Sequence, residues 1–141
     1  YEVLRGTSSG TYTSLASALV GNTYADTSVA SGTAYYYVVR AFNGLSSPNS
    51  NEAAAKPIAS FALVSVTPAT STSLQITWGS GAGADAYDIL YGTVSGSYGS
   101  LASNVTSPFT LSGLSPNTTY FLVVRGRNSI GSGTSLQTGQ G

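Results

Sequence analysis

One pattern is written twice in this chain, and the first writing starts late. Tyr1-Glu2-Val3-Leu4-Arg5-Gly6-Thr7 lies on Tyr87-Asp88-Ile89-Leu90-Tyr91-Gly92-Thr93, and the match runs without a gap from residues 1–17 to 87–103 at an offset of 86. One residue is then absorbed. Thr33-Ala34-Tyr35-Tyr36-Tyr37-Val38-Val39-Arg40 lies on Thr118-Thr119-Tyr120-Phe121-Leu122-Val123-Val124-Arg125 at an offset of 85. An internal repeat constrains architecture before any single residue is weighed. Residues 61–86 have no counterpart ahead of Tyr1. The expectation is two modules, residues 1–57 and 58–141, with the first beginning at its third strand.

The second copy reads as short strands separated by turns. Val64 and Val66 alternate in the first, and Leu74-Gln75-Ile76-Thr77-Trp78 in the second. Tyr87-Asp88-Ile89-Leu90-Tyr91 forms the third. Further strands are expected over residues 97–102, 108–111, 120–125 and 134–138. Gly, Asn and Ser punctuate the gaps, as at residues 79–83 and 128–133. Gly6-Thr7-Ser8-Ser9-Gly10 and Gly92-Thr93-Val94-Ser95-Gly96 lack the Lys and the following helix of a phosphate loop and read as hairpin turns. No stretch keeps a helical period. About seven such strands predict an all-β fold of antiparallel sandwiches.

Composition excludes much chemistry. Charged residues are only 7% of the chain, five basic and five acidic, with zero net charge. No basic patch exists to neutralise phosphates, so nucleic acid is not an expected partner. No apolar run approaches the length that inserts across a membrane. With no His and no Cys, the usual nucleophile systems and zinc ligand sets are unavailable. No metal, no cofactor and no catalytic residue is expected. The carboxylates are Glu2, Asp26, Glu52, Asp85 and Asp88. Glu2 and Asp88 occupy equivalent places in separate modules and cannot pair. Asp85 falls in a Gly/Ala turn and Asp88 on an outer strand face, so both are expected to be solvated surface acids rather than a glycosidase pair. Lys56, beside Pro57 at the module join, is not placed for an isopeptide bond.

Several of these stretches carry a resemblance. Leu114-Ser115-Pro116-Asn117-Thr118-Thr119-Tyr120-Phe121-Leu122-Val123-Val124-Arg125 resembles the hallmark stretch of fibronectin type III modules, and Ser73-Leu74-Gln75-Ile76-Thr77-Trp78 resembles their second strand with its core Trp. Gly32-Thr33-Ala34-Tyr35-Tyr36-Tyr37-Val38-Val39-Arg40-Ala41-Phe42-Asn43 is similar to such modules in secreted bacterial enzymes and surface proteins. The resemblance implies tandem sandwiches of immunoglobulin-like architecture, secreted or at the cell surface, and non-catalytic. It implies a tyrosine corner at Tyr120, its hydroxyl bonded near Leu114 or Pro116, and another at Tyr35 near Val29. Trp78 is expected at the centre, against Tyr87, Ile89, Leu122 and Val124.

If Tyr120, Leu122 and Val124 point inward, Phe121, Val123 and Arg125 point outward, with Leu90 beside them. The first module repeats this with Tyr36, Val38 and Arg40 beside Leu4. These eight residues are the candidate contact face, each Arg resting over a ring. Other protein chains, through self-assembly or as neighbouring modules, are the expected partners. Carbohydrate stacked on Tyr36 or Phe121 is a second candidate.

The first module lacks counterparts of Val64, Val66, Leu74, Ile76 and Trp78. Five buried apolar side chains are worth roughly 8–15 kcal/mol, comparable to the roughly 5–15 kcal/mol that holds a whole domain folded. Residues 1–57 are therefore expected to present a bare core face. Either the chain is an excerpt of a longer array, or a neighbouring chain supplies the strands. The expected role is a structural or adhesive module of a bacterial surface or filament protein. The alternative is a spacer in a secreted polysaccharide-degrading enzyme.

Overall fold

The structure, a computed structural model, describes residues 1–130 and the backbone of residues 134–140. The chain divides into two units, whose main segments are Tyr1–Pro57 and Ile58–Ser129. Of the turn expected at residues 128–133, residues 131–133 lie outside the described residues.

The first unit is built from β1 (Glu2–Ser8), β2 (Thr11–Ala16), β3 (Tyr35–Arg40) and β4 (Ala53–Ala55). They form one four-stranded antiparallel sheet in the order β2-β1-β3-β4. Val3 faces Val39 and Leu4 faces Val38 across the β1–β3 pair. The sheet therefore has one face carrying Val3, Arg5, Tyr35, Tyr37 and Val39, and another carrying Leu4, Tyr36, Val38 and Arg40.

The second unit contains β5 (Leu63–Thr70), β6 (Ser73–Trp78), β7 (Ala86–Gly92), β8 (Ser100–Val105), β9 (Phe109–Ser112), β10 (Phe121–Arg127) and β11 (Thr134–Gln140). β5, β6 and β9 make one sheet, and β8-β7-β10-β11 the other. The second order matches that of the first unit, strand for strand. Alternation puts Leu74, Ile76 and Trp78 of β6 against Ile89 of β7 and Leu122 and Val124 of β10, the centre of one contiguous core. This is the all-β antiparallel sandwich expected from the sequence. Phe61 closes one end, edge-on to Tyr87 at 5.3 Å between ring centroids, and Trp78 lies 5.8 Å from the same ring.

Both tyrosine corners form. The Ser115 amide donates to the Tyr120 hydroxyl at 3.0 Å, between the two residues expected. The Ala30 amide donates to the Tyr35 hydroxyl at 2.9 Å. Ala30 and Ser115 are themselves 85 apart, so the corner is the same device in both units. Gly6 and Gly92 are another shared device. A Cβ there would sit 1.8 Å from the Thr11 carbonyl oxygen and 2.3 Å from that of Ser97, so only glycine lets the chain turn so tightly.

Two expectations need correction. Val64 and Val66 do not share an inward face: the register shifts between Leu63 and Ser65. That bulge sends Leu63 and Val66 to the core and leaves Val64 exposed. The fourth strand of the second unit runs over Ser100–Val105 rather than residues 97–102, because residues 94–97 are spent on a turn closed by a Val94–Ser97 bridge.

Residues 24–27, which the 85-residue offset places on β9, form no strand. Among the described residues β9 pairs only with β6, and the first unit contains no strand in that position. An extended segment without a ladder partner gains nothing from the strand conformation.

Trp78→Ala removes the largest side chain of the second unit's core. We expect a loss of about 3–5 kcal/mol, read by urea unfolding of the second unit.

Candidate functional site

The candidate contact residues lie on the outer faces of the two four-stranded sheets. On the first unit Leu4 and Val38 are buried, while Tyr36 and Arg40 are half-buried. On the second Val123 is buried, while Leu90, Phe121 and Arg125 are half-buried. The register does bring these residues together: Leu4 opposes Val38 and Val123 opposes Leu90. It does not leave them open. Leu4, Val38 and Val123 all sit on central strands, where neighbouring strands crowd a side chain most. Leu4, Val38 and Val123 are therefore not available as contact residues, while Tyr36, Arg40, Leu90, Phe121 and Arg125 remain partly exposed on these faces.

Asp88 is the larger correction. It is no solvated acid but only 2% exposed. Arg125, directly opposite it on β10, donates from Nη2 to Oδ2 at 2.8 Å. Arg127 donates from Nε to the same oxygen at 2.9 Å. The Asn104 amide donates to Oδ1 at 3.2 Å, and Arg127 also binds the Asn104 side-chain carbonyl. Arg125 is thus engaged with a carboxylate rather than resting over a ring. Removal from water pushes the Asp88 carboxyl up, but Arg125, the Asn104 amide and Arg127 outweigh it and hold it below the usual range. The Asp85 carboxylate accepts from the Ser129 amide at 3.3 Å, capping a loop.

The inner face of the first unit carries a second polar cluster. Arg5 donates from Nη1 to Asp26 Oδ2 at 2.7 Å and to the Ser28 hydroxyl at 2.8 Å. The Tyr37 hydroxyl donates to Asp26 Oδ2 at 2.9 Å. The Ser28 amide and hydroxyl donate to Oδ1 at 2.9 and 2.7 Å. The Arg5 guanidinium lies 4.9 Å from the centroid of the Tyr35 ring. Partial burial pushes Asp26 up, yet Ser28, Tyr37 and Arg5 hold it far below the usual carboxylate range. Burial and the bond to Asp26 push the Tyr37 phenol up to about 12. At the β1–β2 hairpin tip, Glu52 accepts from Ser9 at 2.9 Å and from Tyr12.

Beside the Asp26 cluster a groove of about 550 Å³ opens on the same sheet face. Val3, Tyr37 and Val39 form its floor, and Leu19 and Tyr24 its wall. The repeat supplies an internal control. Val39 is 38% exposed, whereas Val124, its counterpart in the second unit, is 0% exposed beneath β6. Among the described residues no group of three or more acidic, His or Cys side chains could hold a metal ion. The chemistry available here is recognition by an apolar floor with one charged pair at its side.

The family profile described as fibronectin type III domain matches residues 60–139. The chain belongs to the fibronectin type III family. Fibronectin type III domains are generally non-catalytic and occur typically in extracellular regions. The crystal structure of a protein termed FN3tt is 25% identical over 59% of this chain and 94% of its own, with a TM-score of 0.46. The chicken CNTN1 FN1-FN3 domains are 23% identical over 97% of this chain and 54% of theirs, with a TM-score of 0.46. Domains d3-d4 of the rat CD45 extracellular region are 17% identical over 90% of this chain and 74% of theirs, with a TM-score of 0.52, a likeness of fold. No curated protein matches the chain. No helix among the described residues is long and apolar enough to cross a membrane.

Two outcomes follow for this fibronectin type III chain. The Asp88 carboxyl ionises more readily folded than unfolded, where its value is about 3.9. Its contribution is therefore complete above that pH and is lost as pH falls through the lower folded value. Asp88→Ala should cost about 1–3 kcal/mol at neutral pH and flatten the acid limb of the stability profile, followed by urea midpoints against pH. Ultraviolet titration should show the Tyr37 phenol ionising at about 12. Asp26→Asn should return it toward the ordinary value of about 10, with Tyr37→Phe assigning the signal.

Proposed function

We propose that this chain is a non-catalytic structural or adhesive part of a longer bacterial surface or filament protein. In this reading it is built from tandem fibronectin type III modules, and strands from a neighbouring chain or module cover the inner face of residues 1–57. The observation that carries the reading is the contrast between Val39 and Val124. The same position of the same sheet is more than a third exposed in one unit and sealed in the other. An apolar sheet face of this kind gains free energy in proportion to the area a second layer removes from water. The chain's low charge, 7% of residues, leaves little repulsion to oppose lateral packing.

The absence of cysteine makes the test clean. Val39→Cys places a single thiol on the groove floor, and Val124→Cys is the sealed control. The Val39→Cys thiol should label rapidly in the chain itself. Attaching a hairpin copied from residues 61–86 ahead of Tyr1 should slow that labelling by about tenfold or more, the factor given by about 1.4 kcal/mol of closure. Equal labelling with and without the attached hairpin contradicts the reading.

A further inference from the structure

The strand pair that closes the first unit's inner face must meet a charged pair that the second unit's closing pair never meets. In the second unit β6 lies against β9 with Leu74 directly opposite Leu111. Both are buried in the core. The 85-residue offset places Asp26 where Leu111 stands, and the 86-residue offset places Arg5 where Tyr91 stands. Asp26 keeps the inward aim of its counterpart, since it binds Tyr37 and Arg5, two residues of the inner face. Two positions that belong to the apolar core in one unit hold an ion pair in the other.

We propose that the occupant of the groove is an amphipathic antiparallel β-hairpin from a neighbouring module that carries Ser, Thr, Asn or Gln where β6 carries Leu74. A copy of this chain's own β5–β6, with Leu74 at that place, is held about tenfold less well. The proposal rests on the strand-completion reading above.

A strand seated on residues 24–27 in the β6–β9 register brings the residue at the Leu74 place within about 4.5–5.5 Å of Asp26, Cβ to Cβ. The Asp26 carboxylate already accepts four hydrogen bonds, from Ser28 twice, Tyr37 and Arg5. It has filled its capacity of about four. Arg5 has not. Its bonds to Asp26 and Ser28 use Nη1 alone, which leaves the donors on Nε and Nη2 to be solvated. Leucine at that place would strip their water and return nothing, the costly case of a buried, unsatisfied charged donor. A side-chain oxygen there accepts from Arg5 and keeps the pair intact. The apolar floor of Val3, Tyr37 and Val39 still asks for large apolar residues at the Ile76 and Trp78 places. The groove therefore gives affinity and the Arg5–Asp26 pair gives discrimination.

Two versions of the extended Val39→Cys chain test this. One carries the copied residues 61–86 unchanged, the other with Leu74→Asn in the copy alone. The Asn version should protect the thiol about tenfold better than the Leu version, a difference in local opening of about 1.4 kcal/mol. In an Arg5→Tyr, Asp26→Leu background the order should reverse. Equal protection by both versions, or better protection by the Leu version in the native background, overturns the inference while leaving strand completion standing. Protection by neither overturns both.

Discussion

The closing of a twisted sheet's inner face by a second layer is the constraint on which the rest of this protein depends. In the second unit that closure is complete. Ile76, Ile89, Leu122 and Val124 are all fully buried, and Trp78 fills the centre among them. The remaining features serve this contact. The bulge at Val64 turns Leu63 and Val66 onto the core, the tyrosine corner pins the loop ahead of β10, and Gly92 lets the β7 end turn tightly. Each spends local geometry to hold two layers about 10 Å apart.

The first unit has the same four-stranded order and the same corner and glycine devices, yet its inner face carries a polar cluster where the second unit is apolar. Residues 24–27 have no ladder partner among the described residues, and polar bonds fasten that segment to the sheet. Arg5, Tyr37 and Ser28 converge on Asp26. The substitution of an ion pair for a leucine contact changes what the face can bury. Apolar burial is indifferent to the partner's identity, whereas a charged pair that loses its water demands a matching group.

How much of this could be read from the sequence differs by residue, for physical reasons. Trp78, Leu122, Val124 and the two corner tyrosines were legible because alternation and the repeat both act over a few residues. The bulge at Val64 was not, since pairing register depends on a strand distant in sequence. Asp88 was misread because its partners lie on another strand. A signal did exist: Arg125 and Arg127 stand two apart and share a face, a costly arrangement unless a carboxylate opposes them. Phe61 escaped notice as a core residue because it precedes the strand and no alternation marks it. The outer-face residues were placed on the correct side but taken as open, because strand periodicity reports direction and not cover.

Solvent paramagnetic relaxation of valine methyls tests the central claim most directly, since it reads access to each inner face in one sample. A soluble paramagnetic agent should broaden the Val39 methyls strongly and leave those of Val124 untouched. Equal protection of the two pairs, in monomeric protein, would contradict the account.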